Sequence, residues 1–246
     1  MRPRTLPWTL LLPAAAGIAF DPAGAQILPD VTVTASPLNP AEPSMVQPAT
    51  VLRDAALDRQ RDGSLGSTLS QQPGVQESGF GISAGRPVIR GLDGPRVKIT
   101  QGGLDVADAS SLSPDHAVAT DPLAARRIEV LRGPATLLYG GGAIGGLVNV
   151  VNDRIPLTRL GAVRGQALAS ADTGTGGHAS ALGLRGGANG WNWTVDGFDR
   201  GAGNYRFPGT AVDGDPDSAR GRLPNSGARG RGFGTGLSYV GGRGVL

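Results

Sequence analysis

The chain has no cysteine, which excludes a disulfide framework, thiolate metal ligands and cysteine nucleophiles; whatever folds does so by core packing and backbone pairing. It has one lysine, Lys98, and its net charge of +3 comes from 23 basic and 20 acidic residues dispersed without a cationic block, so nucleic acid is not an expected partner. There are only two histidines, and neither sits where a general base would be expected. No segment, the N-terminal run Leu6 to Phe20 included, reaches the ~20 apolar residues of a spanning helix. Any membrane residence must therefore be through β-strands.

Residues 1–25 read as a secretory signal peptide. Arg2 and Arg4 precede an apolar run too short to span a bilayer and interrupted by Pro7 and Pro13, and Ala23-Gly24-Ala25 forms a small-x-small cleavage site before Gln26. Residues 26–48 read as an extended leash, because Pro29, Pro37, Pro40, Pro43 and Pro48 deny them a regular fold. Within the leash, Asp30, Val31, Thr32, Val33, Thr34 and Ala35 form a short β-prone run. It suits either a strand added to a partner's sheet edge or a strand of the protein's own sheet.

Residues 49–156 pattern as a small α+β domain. Ser64 caps a short helix carrying Leu65 and Leu69, which must stop before Pro73. Val88–Ile89 and Val97–Ile99 are β-rich runs joined by the turn signal Asp93-Gly94-Pro95. Asp121-Pro122 marks a helix start, "IEVL" a buried strand, Ala135 to Tyr139 one more helical turn closed by glycine, and "LVNVV" a further strand.

After Pro156, period-two alternation takes over. Trp191, Trp193 and Val195 share one face against Asn192, Thr194 and Asp196 on the other. "ASALGLRG" alternates similarly, and Ala188-Asn189-Gly190 is a hairpin turn. Phe233, Thr235, Leu237 and Tyr239 supply another alternating strand. A soluble β-sandwich gives a similar pattern, but the signal peptide and the Trp pair favour an outer-membrane barrel. The segment 157–246 has room for about four or five strands of ~10 residues, and lipid tolerates no open sheet edge. The chain accordingly reads as the N-terminal portion of a longer protein: an α+β domain followed by the first strands of a transmembrane antiparallel β-barrel.

Two motifs suggest chemistry and fail on context. Gly140, Gly142 and Gly145 fit the dinucleotide fingerprint G-x-G-x-x-G, but the run that follows is β-branched, and position 160, where an acidic residue is required, is leucine. Gly81 to Gly85 fits G-x-S-x-G around Ser83, but Gly85 and Pro87 break the helix a nucleophile elbow must launch. No enzymatic activity is expected. The glycines instead serve backbone geometry and close approach.

"QQPGV", "RPVIRGLDGPRVKITQGG" and "IEVLRGPATLLYGGGAIGGLVNVVND" closely resemble the plug domain of TonB-dependent outer-membrane receptors, and "DVTVTA" resembles their TonB box. The resemblance covers residues 30 to 156. It implies a 22-stranded barrel filled by the plug, with Asp30 to Ala35 pairing with periplasmic TonB, which is energised through ExbB and ExbD. Arg90, Gly91, Glu129, Arg132, Gly133, Gly140, Gly145 and Gly146 match positions of the plug motifs, and the three charged residues among them are candidates for an ion-paired plug interior.

"SPDHA" looks most like the zinc-uptake branch, in which the Asp-His pair contributes to a metal site. Asp115 and His116 are thus candidate zinc ligands, though a capped turn accounts for them equally and the other ligands must come from elsewhere. Zinc is cargo in this reading, and no cofactor is expected. Ferric siderophore, haem and cobalamin are the alternatives within the family. A signalling transducer is disfavoured because only Gln26 to Pro29 separate the signal peptide from the TonB box. A secreted adhesive β-protein is the reading from another class.

Overall fold

The computed structural model describes residues 49–242, 244 and 245. The expected signal peptide, leash and TonB-box run Asp30 to Ala35 lie outside the described residues.

The α+β domain begins with β1 (Ala49–Arg53) and helices α1 (Asp54–Gln60) and α2 (Leu65–Leu69), followed by the hairpin of β2 (Val75–Glu77) and β3 (Pro87–Ile89). Then come β4 (Val97–Gln101), β5 (Leu104–Asp105), β6 (Arg127–Leu131) and β7 (Gly146–Val151). The central sheet has the order β1-β6-β7-β4-β5; β4 and β7 run parallel and the other pairs antiparallel. Ile128, Val130, Val148 and Val150 are buried between this sheet and Leu57, Leu65 and Leu69 of the helices. That burial, at about 2 kcal/mol per large aliphatic side chain, is the main force holding the domain together.

The local reasons are those the residues supply. Ser64 and Ser67 form a reciprocal capping box that starts α2. Asp121 accepts from the Leu123 amide and starts a single 3₁₀ turn with Pro122 in its first position. Residues 134–139 form another 3₁₀ turn, ended by Gly140 at φ 88°. After the glycines comes strand β7 and not a helix, so no nucleotide-binding turn exists at Gly140 to Gly145. A Cβ on Gly145 would meet Leu92 Cβ at 2.8 Å and the Arg96 carbonyl at 3.0 Å. Close packing against β4's approach therefore explains this glycine.

Two features differ from the sequence expectation. Val88–Ile89 and Val97–Ile99 join different sheets, because the Gly94–Arg96 3₁₀ turn redirects the chain and β3 pairs back to β2. Strand β1 and helix α1 had no clear signal, since β1 is only five residues and α1 buries a single leucine, Leu57.

The second part is an antiparallel meander: β8 (Arg164–Asp172), β9 (Gly177–Ala188) and β10 (Trp191–Ala202), then, after a small hairpin of β11 (Arg206–Thr210) and β12 (Arg220–Arg222), β13 (Ala228–Gly241) and β14 (Gly244–Val245). The sheet order is β14-β13-β10-β9-β8. Asn189 (φ 52°) and Gly190 (φ 88°) make the expected two-residue hairpin turn. The two-residue turn Asn189-Gly190 closes one end of the sheet, while the 203–227 segment lies at the other.

The register sorts side chains cleanly. On the outer face lie, row by row, Tyr239, Trp191 and Ala188; Leu237, Trp193 and Gly186; Thr235, Val195 and Leu184; and Phe233, Gly197 and Leu182. Phe233 is 87% exposed, whereas Asn192 on the inner face is fully buried. Trp191 and Tyr239 pack with ring centroids 5.2 Å apart. The apolar face thus points to the surroundings and the polar face points at the α+β domain, the inverse of a soluble sheet.

Candidate functional site

The inner face grips the α+β domain and the segment that leaves it along a polar seam. At the short-turn end, Asn192 accepts from the Leu160 amide (2.8 Å) and donates to the Thr158 carbonyl (3.2 Å), while Ser238 donates to the Pro156 carbonyl (2.7 Å). One step further, the Thr194 hydroxyl donates to the Arg154 carbonyl at 2.5 Å, and the Arg154 guanidinium binds both oxygens of Asp196 at 3.1 Å. Beyond that, Gln166 donates to Asp58 of α1 at 3.0 Å, and Arg200 pairs with Asp121 at 3.1 Å and donates to the Gly63 carbonyl. Glycines at 234 and 236 on the inner face leave the space that Arg154 occupies. Burial raises the Asp121 carboxyl above its ordinary value, against the opposing pull of Arg200 and the Leu123 amide.

Where the seam ends, towards the 203–227 segment, a cavity of about 790 Å³ opens between the domain and the sheet. Asp62, Glu77, Phe80 and Ser83 line it from one side, and His178, Arg200 and Tyr205 from the other. Burial raises the Tyr205 hydroxyl, with Glu77 contributing in the same direction. Ser83 lies in the loop before β3 with no helix after it, so it has no elbow geometry.

Asp115 and His116 are not in the cavity wall. They sit on an exposed turn, 69% and 56% exposed, with the imidazole Nδ1 3.0 Å from Asp115 Oδ1. Hydrogen bonds from Ser113 and His116 hold the Asp115 carboxyl below its ordinary value. Among the described residues no group of three or more histidines or carboxylates gathers as a metal site, so this pair is brought together with each other and with no third ligand.

The charged interior is only partly that expected. Glu129 is fully buried, bonded at 2.9 Å to Arg127 and at 2.9 Å to Asn149, whose carbonyl oxygen in turn accepts from Thr100. Arg90 is exposed among the described residues, at φ 53° in the turn with Gly91. Arg132 faces like charge. Burial, and Arg90 nearby, pull its guanidinium below the ordinary value, and it donates to Thr50 at 3.2 Å. The interior arginine that pattern reading missed is Arg86. It is 1% exposed and donates to Asp108, Ser110 and the carbonyls of Val97 (3.1 Å) and Gly94 (3.3 Å). Gly133, Gly140 and Gly145 lie in the turns between β6 and β7, and Gly146 opens β7 itself.

Residues 43–147 match the family model of the TonB-dependent receptor plug domain. Among solved structures, a mutant of the ferric enterobactin receptor of Pseudomonas aeruginosa in complex with enterobactin is similar at 19% identity and TM-score 0.56, over 79% of this chain and 31% of that one. The copper transporter OprC is similar at 22% identity and TM-score 0.61, over 78% and 28%. The siderophore receptor PirA of Acinetobacter baumannii is similar at 19% and 0.57, over 78% and 29%. The chain spans about three tenths of the length of these structures. The fold is thus a plug domain followed by antiparallel strands.

Proposed function

We propose that this plug and these strands belong to an outer-membrane receptor that imports a metal or metal-chelate nutrient by coupling to TonB, and that the protein is not an enzyme. The observation that carries the proposal is the sorting of the sheet: an apolar face with no cover among the described residues, and a polar face locked onto the plug. A soluble sandwich buries its apolar face; a barrel wall offers it to lipid. Lipid tolerates no open edge, so in this reading β8 and β14 pair with further strands. Short turns face the periplasm and the 203–227 segment faces outward, which puts the cavity on the external side.

In this reading, Asp30 to Ala35 add as a strand to an edge of TonB, energised through ExbB and ExbD. The leash leads directly into β1, an edge strand of the central sheet, so force reaches the β1–β6 pairing first. Remodelling there, with the Arg154 seam holding the far end of the plug to the wall, would open a path.

Ferric enterobactin and copper in the similar structures support metal or chelate cargo as the class. Within it we propose zinc, with Asp115 and His116 supplying two ligands of the oxygen and nitrogen type zinc accepts. Deleting residues 30–35 should abolish uptake while leaving the amount of protein in the outer membrane unchanged; undiminished uptake would refute the coupling. Asp115→Ala with His116→Ala should weaken zinc binding at least tenfold. Unchanged zinc affinity would remove zinc and leave import standing.

A further inference from the structure

Above the last apolar row of the outer face, the same register continues with charged residues. Arg231 lies across from Asp199, and Arg229 lies one row further, across from Gly201, which is itself paired to His178. Arg229 and Arg231 share the outward parity of Phe233, and both are exposed. Their level follows from the strand geometry. Four outer rows at about 6.8 Å each cover about 27 Å along the strands, or about 21 Å of height at a ~40° tilt, near the ~25 Å apolar band of a barrel. The next row therefore stands at the headgroup level, on the side of the 203–227 segment.

Alternate residues of one strand stand about 7 Å apart along the backbone on the same face, so the two like charges share one patch and repel. The facing carboxylate, Asp199, is shared with His178 at 3.7 Å. One carboxylate does not neutralise both arginines, and their planar forks fit phosphate oxygens in bidentate fashion. Their aliphatic stems can also lie along the upper edge of the apolar band beside Phe233.

We propose that Arg229 and Arg231 form a binding site for the phosphate of an outer-leaflet lipid headgroup, fixing the height of this wall segment in the membrane. The inference rests on the outer-membrane reading above and adds a ligand distinct from the cargo.

The test uses protein produced in bacterial outer membranes, purified in detergent and stripped of lipid. Native mass spectrometry then measures retention of bis-phosphorylated lipid A and of the same lipid dephosphorylated. Wild type should retain the phosphorylated form at least tenfold more strongly, and Arg229→Gln with Arg231→Gln should lose that preference. Arg206→Gln with Arg222→Gln, in the β11–β12 hairpin, should keep it. Equal retention by the first double variant, indifference to the phosphates, or displacement by equimolar inorganic phosphate would each overturn the proposal. Failure of the underlying reading shows separately, as protein absent from the outer-membrane fraction before any lipid is added.

Discussion

Gly236 on the inner face of the sheet packs close against the Arg154 backbone, and Gly236→Ala tests whether that approach holds the seam. A Cβ there would lie 2.8 Å from the Arg154 carbonyl carbon and 2.8 Å from Thr194 Oγ1, and nearer still to the Arg154 carbonyl oxygen. Ordinary contact begins at 3.4 Å, so the Arg154 backbone must retreat by at least 3.4 − 2.8 = 0.6 Å. That movement breaks the Thr194–Arg154 hydrogen bond and pulls the guanidinium off Asp196. Overpacking costs about 1–3 kcal/mol and the hydrogen bond about 1 more, for a total of about 2–4 kcal/mol. At about 1.4 kcal/mol per factor of ten, local opening of residues 154–160 becomes roughly 30- to 700-fold more frequent. Hydrogen exchange read by mass spectrometry on peptides covering 152–162 reports this directly. Gly161→Ala, where nothing lies within 4 Å of the added carbon, is the control. Exchange that is unchanged, or changed equally by the control, would refute the reasoning.

Arg86→Met should cost the plug about 3–5 kcal/mol in urea unfolding by stranding buried Asp108, and adding Asp108→Asn should recover part of the loss; a cost under about 1 kcal/mol would contradict a buried ion pair. Asp121 supplies a pH test. Its folded value is raised above 3.8 by burial, so its stabilising contribution is complete below 3.8 and is lost as pH rises through the folded value. Relative to Asp121→Asn, which keeps an oxygen for the Leu123 amide, wild type should therefore gain stability on acidification from neutrality towards pH ~4. A relative loss would mean that the Arg200 pairing outweighs burial.

What the sequence disclosed follows the range of the forces. Local determinants were legible: Ser64 and Asp121 as caps, Asn189-Gly190 as a hairpin turn, and the period-two sorting of β10 and β13. The failure of the glycine fingerprint was legible too, because the run after Gly146 is rich in valine. Partnerships across long sequence separation were not. Arg86 meets Asp108 only because a 3₁₀ turn brings the β3 and β4 neighbourhoods together, and Arg154 meets Asp196 only once the sheet stands against the plug. One weak signal for the seam was available: alternate glycines at 230, 232, 234 and 236 on a single face mark a surface approached closely by something else.

The central claim is that one face of this sheet meets lipid while the other meets the plug. Because the chain has no cysteine, single cysteines placed in turn at positions 191–198 each carry one unambiguous spin label. Electron paramagnetic resonance of the protein in bilayers should show oxygen accessibility alternating with a period of two, high at 191, 193 and 195 and low at 192, 194 and 196. A flat profile, or high water accessibility at 193 and 195, would contradict the account.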